Sequence, residues 1–221
     1  MICLGATNRP RIKSPMLYDQ QGNRKYLTAE ERRAFMKAAQ QAEPEVETFC
    51  LTLAYSGARI SEVLALTPRR IDFSVRGITF ESLKKRRLGI FRTIPVPEFL
   101  LERLNDVHGI KASQSDPALH GQRIWSWCRT TAWQRVKEVM AMTGITGEWA
   151  VPKGLRHGLG VEATTAAGIP LNIVQRWLGH SRIDTTAIYA NAVGREERAL
   201  ATRTWTDSDP PVRQLSTDRS G

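Results

Sequence analysis

A histidine and a tyrosine stand nine residues apart in the stretch Leu178–Tyr189, LGHSRIDTTAIY, joined by a short polar turn and one helical segment. Near neutral pH a histidine transfers protons or contacts phosphate, whereas a tyrosine is a poor nucleophile until something positions it and stabilises what it makes. Groups of cations upstream of His180 and Tyr189 offer that support. Arg59 follows Ser-Gly-Ala and opens a helix, where free backbone N–H groups favour anions, and Glu62 lies three residues on, within reach of the same face. Lys153 and Arg156 are also three apart, so at a helix start they share a face; they repel unless an anion sits between the compact ammonium and the planar guanidinium fork. Lys84, Lys85, Arg86 and Arg87 form a third group. Taken singly, each fits an ordinary part as well: a surface ion pair between Arg59 and Glu62, a solvated basic helix face, a charged turn, a packed helical tyrosine.

Charge gives these groups a common partner. With 32 Lys and Arg against 22 Asp and Glu, the chain carries a formal +10, which favours a polyanion, nucleic acid first and an acidic membrane surface second. A hydrophobic fraction of 41% and a charged fraction of 24% are those of an ordinary globular protein, and 221 residues suffice for one large domain or two small ones. The N-terminal MICLGATNRPRIK lacks the apolar core of a signal peptide, and no apolar run approaches the roughly 20 residues that span a bilayer. Cys3, Cys50 and Cys128 are scattered without CxxC spacing, which suggests neither a disulfide framework nor a zinc site. A reducing compartment fits, and a cytoplasmic protein is expected.

The elements that must position these residues are legible in outline. Residues 1–26 are polar and basic without periodicity and read as an arm or linker. Thr28-Ala-Glu-Glu31 is a capping box that starts a helix running to about Gln41. Pro44 opens a second helix with apolar Val46, Phe49, Cys50, Leu53 and Ala54, stopped by Gly57; a short helix follows from Arg59 to Leu66. Residues 77–96 switch to strand-like runs, Ile78-Thr-Phe80 and Ile90–Ile94, separated by the basic stretch, which makes a β-hairpin with a positively charged tip. Helix resumes over Glu98–Val107, a loop covers about 109–122, and Trp133–Met142 is amphipathic. After Pro152 a helix runs to Ala167, Gly168-Ile-Pro170 breaks it, Leu171–Leu178 continues, and Thr185–Ala190 closes the pattern. The tail 207–221 is polar.

The order of the groups — arginine, basic hairpin, KxxR, LGH, tyrosine — resembles the catalytic domain of the tyrosine recombinases, the phage-integrase family. The matching text is SGARISEVLALTPRRID (56–72), LKKRRLGIFRTIPVP (83–97), PKGLRHGLG (152–160) and LGHSRIDTTAIYAN (178–191), so the resemblance covers about residues 28–193. It implies an α+β fold, mainly α-helical with a small antiparallel β-sheet or hairpin, over a catalytic domain of residues 27–206. Arg59 and Arg156 match the two arginines that grip the non-bridging oxygens of a scissile phosphate. His180 matches the third position, Tyr189 the nucleophile, and Glu62 an acidic residue supporting the first arginine. Lys84 or Lys85 matches the hairpin lysine, the general acid for the 5′ oxygen. His157 matches a common family histidine with a structural part. Lys85, Arg86, Arg87, Arg92, Arg176 and Arg182 are expected to contact DNA. The resemblance implies cleavage and rejoining of double-stranded DNA through a 3′-phosphotyrosine, with neither metal nor ATP nor other cofactor, and a tetramer on DNA in which a helix at 195–206 docks on a neighbour. The other reading is a non-catalytic helix-turn-helix protein, with residues 161–191 as its DNA-binding unit.

Two departures from the family stand out. Lys153 occupies a position that is histidine in most members; a charged lysine only donates, so it is expected to contact a phosphate oxygen rather than take the tyrosine proton. That leaves His180 as the first candidate for any proton transfer Tyr189 requires, since one residue turns a helix by about 100° and His157 faces elsewhere than Lys153 or Arg156. Only about 27 residues precede the catalytic domain, too few for the family's core-binding domain; either the chain is a fragment, or it is a compact member whose clamping on DNA is expected to come from the arm, a second subunit or an accessory protein.

Overall fold

In a computed structural model of the protein, residues 17–82 and 89–191 are described. The element order is α1 (Ala29–Ala39), α2 (Pro44–Ser56), α3 (Ile60–Leu64), β1 (Ile71–Asp72), β2 (Gly77–Glu81), β3 (Phe91–Pro95), α4 (Glu98–His108), α5 (Ile110–Ser115), α6 (Arg129–Met142), α7 (Pro152–Thr165), α8 (Leu171–Leu178) and α9 (Asp184–Ala187); a 3-10 turn, Ile188–Asn191, follows. The fold is mainly helical with one small antiparallel sheet, strands in the order β1-β2-β3. Among the described residues, no helix is long and apolar enough to cross a membrane.

Local signals fix most boundaries. The Thr28 side chain accepts from the Glu31 N–H while the Glu31 carboxylate accepts from the Thr28 N–H, so the capping box starts α1. Pro44 is the first residue of α2, and Gly57, at φ 59°, ends it in the left-handed region where a side chain is strained. A Cβ at Gly57 would also stand 2.7 Å from Leu159 Cδ2 and 2.9 Å from Leu178 Cδ2, so the glycine lets the start of the Arg59 segment lie flat against α7 and α8. Two elements depart from expectation. The segment 109–122 contains α5, seated by a hydrogen bond from the Lys111 N–H to Asn105 Oδ1. The hairpin gains β1 as a third strand, where Ile71 pairs with Ile78.

The main core runs through α1, α2, α4, α6 and the sheet around Phe35, Phe49, Phe80, Leu100 and Trp125, all essentially inaccessible to solvent. A second, smaller apolar cluster lies apart from it. Leu17 and Tyr26 meet Val161, Ala163, Val174, Leu178 and Tyr189 there. Residues 17–26 were expected to belong to an arm; instead they fold back on themselves, Tyr18 bridging to Arg24, and bury Leu17 and Tyr26 against α7 and α8. The apolar side chains that drive this are too few to give a period in the sequence. Arg32 of α1 is buried, pairs with Glu162 of α7, and donates to the Ala54 carbonyl of α2 at 2.8 Å, which ties three helices together.

Candidate active site

Arg59 is the N-cap residue of α3, held there by its own neighbour: Glu62 Oε2 accepts from the Arg59 backbone N–H at 2.9 Å and Oε1 from the guanidinium at 2.7 Å. Glu62 is wholly buried and also receives Arg92 Nη2 at 2.5 Å. Burial alone would raise the Glu62 carboxyl, but the hydrogen bonds and charges of Arg92 and Arg59 outweigh it and hold the group below the usual carboxylate range.

Arg92 therefore does not lie on a DNA-facing surface. It sits on the inward face of β3, in register with Phe80 and on the same side as Ile94, and is only 7% exposed. Its Nε donates to the Trp177 carbonyl at 2.7 Å. The physical reason is the strand's two-residue period, which sends Arg92 the way it sends Ile94.

The LGH segment supplies more than a histidine. The last carbonyls of a helix have no partner within it and carry the negative end of its dipole. In α8 these are Trp177 O, bound by Arg92, and Leu178 O, bound by Arg156 Nη2; Arg156 Nη1 reaches Gly57 O at 2.6 Å. Gly179 then ends the helix and turns the chain toward His180. Two buried arginines from distant elements are thus fixed on one helix end. Burial, with the nearby Arg59 charge, lowers Arg156 to about 10, so it remains charged at neutral pH.

Arg59, Glu62, Lys153, Arg156, His157 and His180 line one open cavity of about 760 Å3. Four cationic side chains border it — Arg59, Arg129, Lys153 and Arg156 — against the single, already neutralised carboxylate of Glu62, so it attracts an anion. Lys153 is exposed at the rim. His180 Nδ1 is hydrogen-bonded to Thr186 Oγ1 at 3.0 Å, so a ligand in the cavity meets Nε2. Burial, then the charges of Arg156 and Arg59, pushes His180 down to about 3.

Tyr189 is inaccessible to solvent, and its hydroxyl is hydrogen-bonded to His157 Nδ1 at 3.0 Å, not to His180. The His180 ring instead stacks on it, centroids 6.1 Å apart and planes 25° from parallel. The resting hydroxyl thus pairs with His157, whereas the sequence points to His180 as the candidate for its proton. The 100° between Arg156 and His157 on α7 sends the arginine to the end of α8 and the histidine to the phenol. Burial raises Tyr189 to about 12, against the pull of Arg156 and Arg59. His157 is lowered to about 4 by burial and then by Lys153, Arg156 and Lys25.

The remaining residues divide. Arg176 and Arg182 are exposed, Arg182 in a surface pair with Asp184 at 2.7 Å. Lys84, Lys85, Arg86 and Arg87, and the segment 195–206, lie outside the described residues. Sequence reasoning missed Arg129 and Trp133, which α6 brings to the cavity wall. Their spacing of four at a helix start places them on one face, but nothing in the sequence indicates what that face meets.

The profile of the phage integrase family matches residues 25–195. The tyrosine recombinase XerD of Yersinia pestis is 29% identical over 152 residues, covering 66% of this chain and 49% of that protein; the chain thus spans about half the length of this relative. A crystal structure of XerA recombinase superposes with a TM-score of 0.67 at 21% identity, over 81% of this chain and 64% of that one. XerH site-specific recombinase, bound to difH substrate in a pre-cleavage complex, superposes at 0.64 with 16% identity, over 86% and 60%. The family profile runs from the turn before α1 to beyond Tyr189 and takes in every element that builds the cavity, and on that match the chain belongs to the phage integrase family, the tyrosine recombinases.

Proposed function

We propose that the protein cleaves and rejoins double-stranded DNA through a covalent 3′-phosphotyrosine at Tyr189. The observation that carries this reading is the convergence of Arg59, Arg156, Lys153 and His180 on one cavity whose wall, through His157, touches the phenol of Tyr189. A phosphodiester between Arg59 and Arg156 places its non-bridging oxygens on two guanidiniums anchored by Glu62, Gly57 and Leu178. Attack by the Tyr189 oxygen forms the new P–O bond as the bond to the 5′ oxygen breaks, and charge collects on the oxygens the arginines hold. Such pre-set donors stabilise that charge without rearranging. The phosphotyrosine conserves the energy of the broken bond, so a 5′ hydroxyl rejoins the strand by the reverse attack.

Burial constrains the proton's route: it raises the Tyr189 phenol and lowers the His157 imidazole, so full transfer to His157 ahead of attack runs uphill. The proton therefore leaves as the tyrosine oxygen bonds to phosphorus, passing to the neutral His180 Nε2 on the cavity wall rather than to His157 in a prior step. The leaving 5′ oxygen takes its proton from the hairpin lysine, Lys84 or Lys85. DNA as substrate is supported by the formal +10 and by the XerH neighbour, which is bound to its difH substrate. Recombination between two duplexes calls for four protomers, with segment 195–206 as the contact between neighbours and an accessory protein as a source of clamping. A non-catalytic helix-turn-helix reading leaves the gathering of Arg59, Lys153 and His180 on one cavity unexplained.

A suicide DNA substrate tests the reading. The wild type should form a protein–DNA adduct that survives denaturation, and Tyr189→Phe should form none; salt-sensitive binding with no adduct from the wild type overturns it.

A further inference from the structure

Tyr189 is enclosed rather than presented to the cavity. Its ring is wholly buried in the small cluster with Leu17, Tyr26, Val161 and Leu178, and it contributes no surface to the cavity. The pocket is shaped for it: a Cβ on Gly160 would lie 2.6 Å from the ring's Cε2 and Cζ, so α7 accommodates the phenol only because residue 160 lacks a side chain. The Tyr189 carbonyl accepts from Thr164 Oγ1 at 3.3 Å, one turn further along the same helix. His157 and His180 line the cavity on one side and meet the tyrosine ring on the other, so together they form the wall between phosphate site and nucleophile. Of the two, only His157 binds the hydroxyl.

We propose that His157 is a positioning residue that holds the Tyr189 hydroxyl in this closed pocket, so that the nucleophile is released to the cavity only when the His157–Tyr189 hydrogen bond breaks. The inference rests on Tyr189 being the nucleophile of the proposed reaction. It gives the histidine after the second arginine a part distinct from grip on phosphate. The buried, neutral imidazole suits that part: flanked by the cations Lys153, Arg156 and Lys25, it stays uncharged and shares a hydrogen bond with the neutral phenol, which a charged ring in the same place would have to desolvate to do. It also makes the strap of residues 17–26 the far side of the same pocket.

The test reads Tyr189 without DNA. Nitration by tetranitromethane, followed peptide by peptide by mass spectrometry, measures exposure of each tyrosine in the intact chain. His157→Phe keeps a ring but loses the hydrogen bond, and Tyr189 should be nitrated roughly tenfold faster than in the wild type, the change one lost hydrogen bond makes to an opening equilibrium. His157→Asn, whose side-chain amide reaches the position of Nδ1, should restore protection; a role in packing alone would not be rescued by the smaller polar side chain. His157→Leu gives the same comparison if the phenyl ring prevents folding, as judged by circular dichroism. Equal protection of Tyr189 in the wild type, the Phe or Leu variant and the Asn variant overturns the proposal, as does loss of protection in the Asn variant. Failure of the strand-transfer reading shows separately, as absence of any adduct from the wild type on the suicide substrate.

Discussion

Removing the Glu62 carboxylate is the sharpest test of how the site is held. The side chain is fully buried between Arg59 and Arg92, whose own side chain is 5% exposed. Glu62→Gln keeps the shape and one acceptor oxygen but removes the charge, leaving the buried Arg92 guanidinium with neutral acceptors: the amide oxygen, the Trp177 carbonyl and the Ser82 hydroxyl. Stripping one partner from a buried pair costs about 3–5 kcal/mol. For a domain of this size each kcal/mol moves the melting temperature by about 2–4 °C, so the variant should melt roughly 6–20 °C lower at neutral pH, followed by circular dichroism. The sign with pH is fixed by the lowered carboxyl. Its contribution is complete above the ordinary value of 4.5 and fades as pH falls through the folded value, so wild type and variant should converge in acid. Glu62→Gln with Arg92→Met replaces the pair by neutral groups and should be more stable than Glu62→Gln alone. A melting shift under about 2 °C for Glu62→Gln, or losses in the double variant that simply add, would refute the buried-pair argument.

Three further outcomes follow from the same geometry. His157 is held near 4 against an ordinary 6.5, so the unfolded chain takes up a proton first as pH falls; its contribution is complete above 6.5 and about 2 kcal/mol is lost by about pH 5, beside the shares of His108 and His180, so urea midpoints of His157→Asn should fall less steeply with acid than those of the wild type. Gly154→Ala would gain up to about 1 kcal/mol on helix propensity alone, but its Cβ would stand 1.9 Å from the Trp149 carbonyl oxygen, so urea unfolding should show a loss of about 3 kcal/mol or more; a stabilised variant would show the close approach to be wrong. Lys153→Ala, at the cavity rim, should slow adduct formation on a suicide substrate about tenfold at saturating DNA, and an unchanged rate would remove Lys153 from the phosphate site.

Part of the site is written in the sequence's local period. Arg92 and Ile94 share parity on β3, so the two-residue period points Arg92 inward, away from the DNA contact its charge alone suggests. The 100° step between Arg156 and His157 takes His157 off the face of Lys153 and Arg156, and that same rotation aims it at Tyr189. The α5 helix and the packing of residues 17–26 left weaker traces, since six residues of IKASQS and a few apolar side chains near Asp19–Asn23 make no period.

The sequence by itself determined where the chain changes direction and which side chains are available for chemistry. Those are local matters: Thr28 with Glu31, Pro44 with Gly57, Pro152, Gly168-Ile-Pro170 and Gly179 act within a turn of where they stand, and four ordered motifs single out Arg59, Arg156, His180 and Tyr189 as candidates. Only the tertiary structure decided what each of those side chains touches. Arg92 meets Trp177 across 85 residues, Arg156 meets Gly57 across 99, and His157 meets Tyr189 across 32. A hydrogen bond over such separations depends on how helices and sheet pack, on the carbonyls left free at the end of α8, and on a glycine that makes room for a ring. No periodicity along the chain records those.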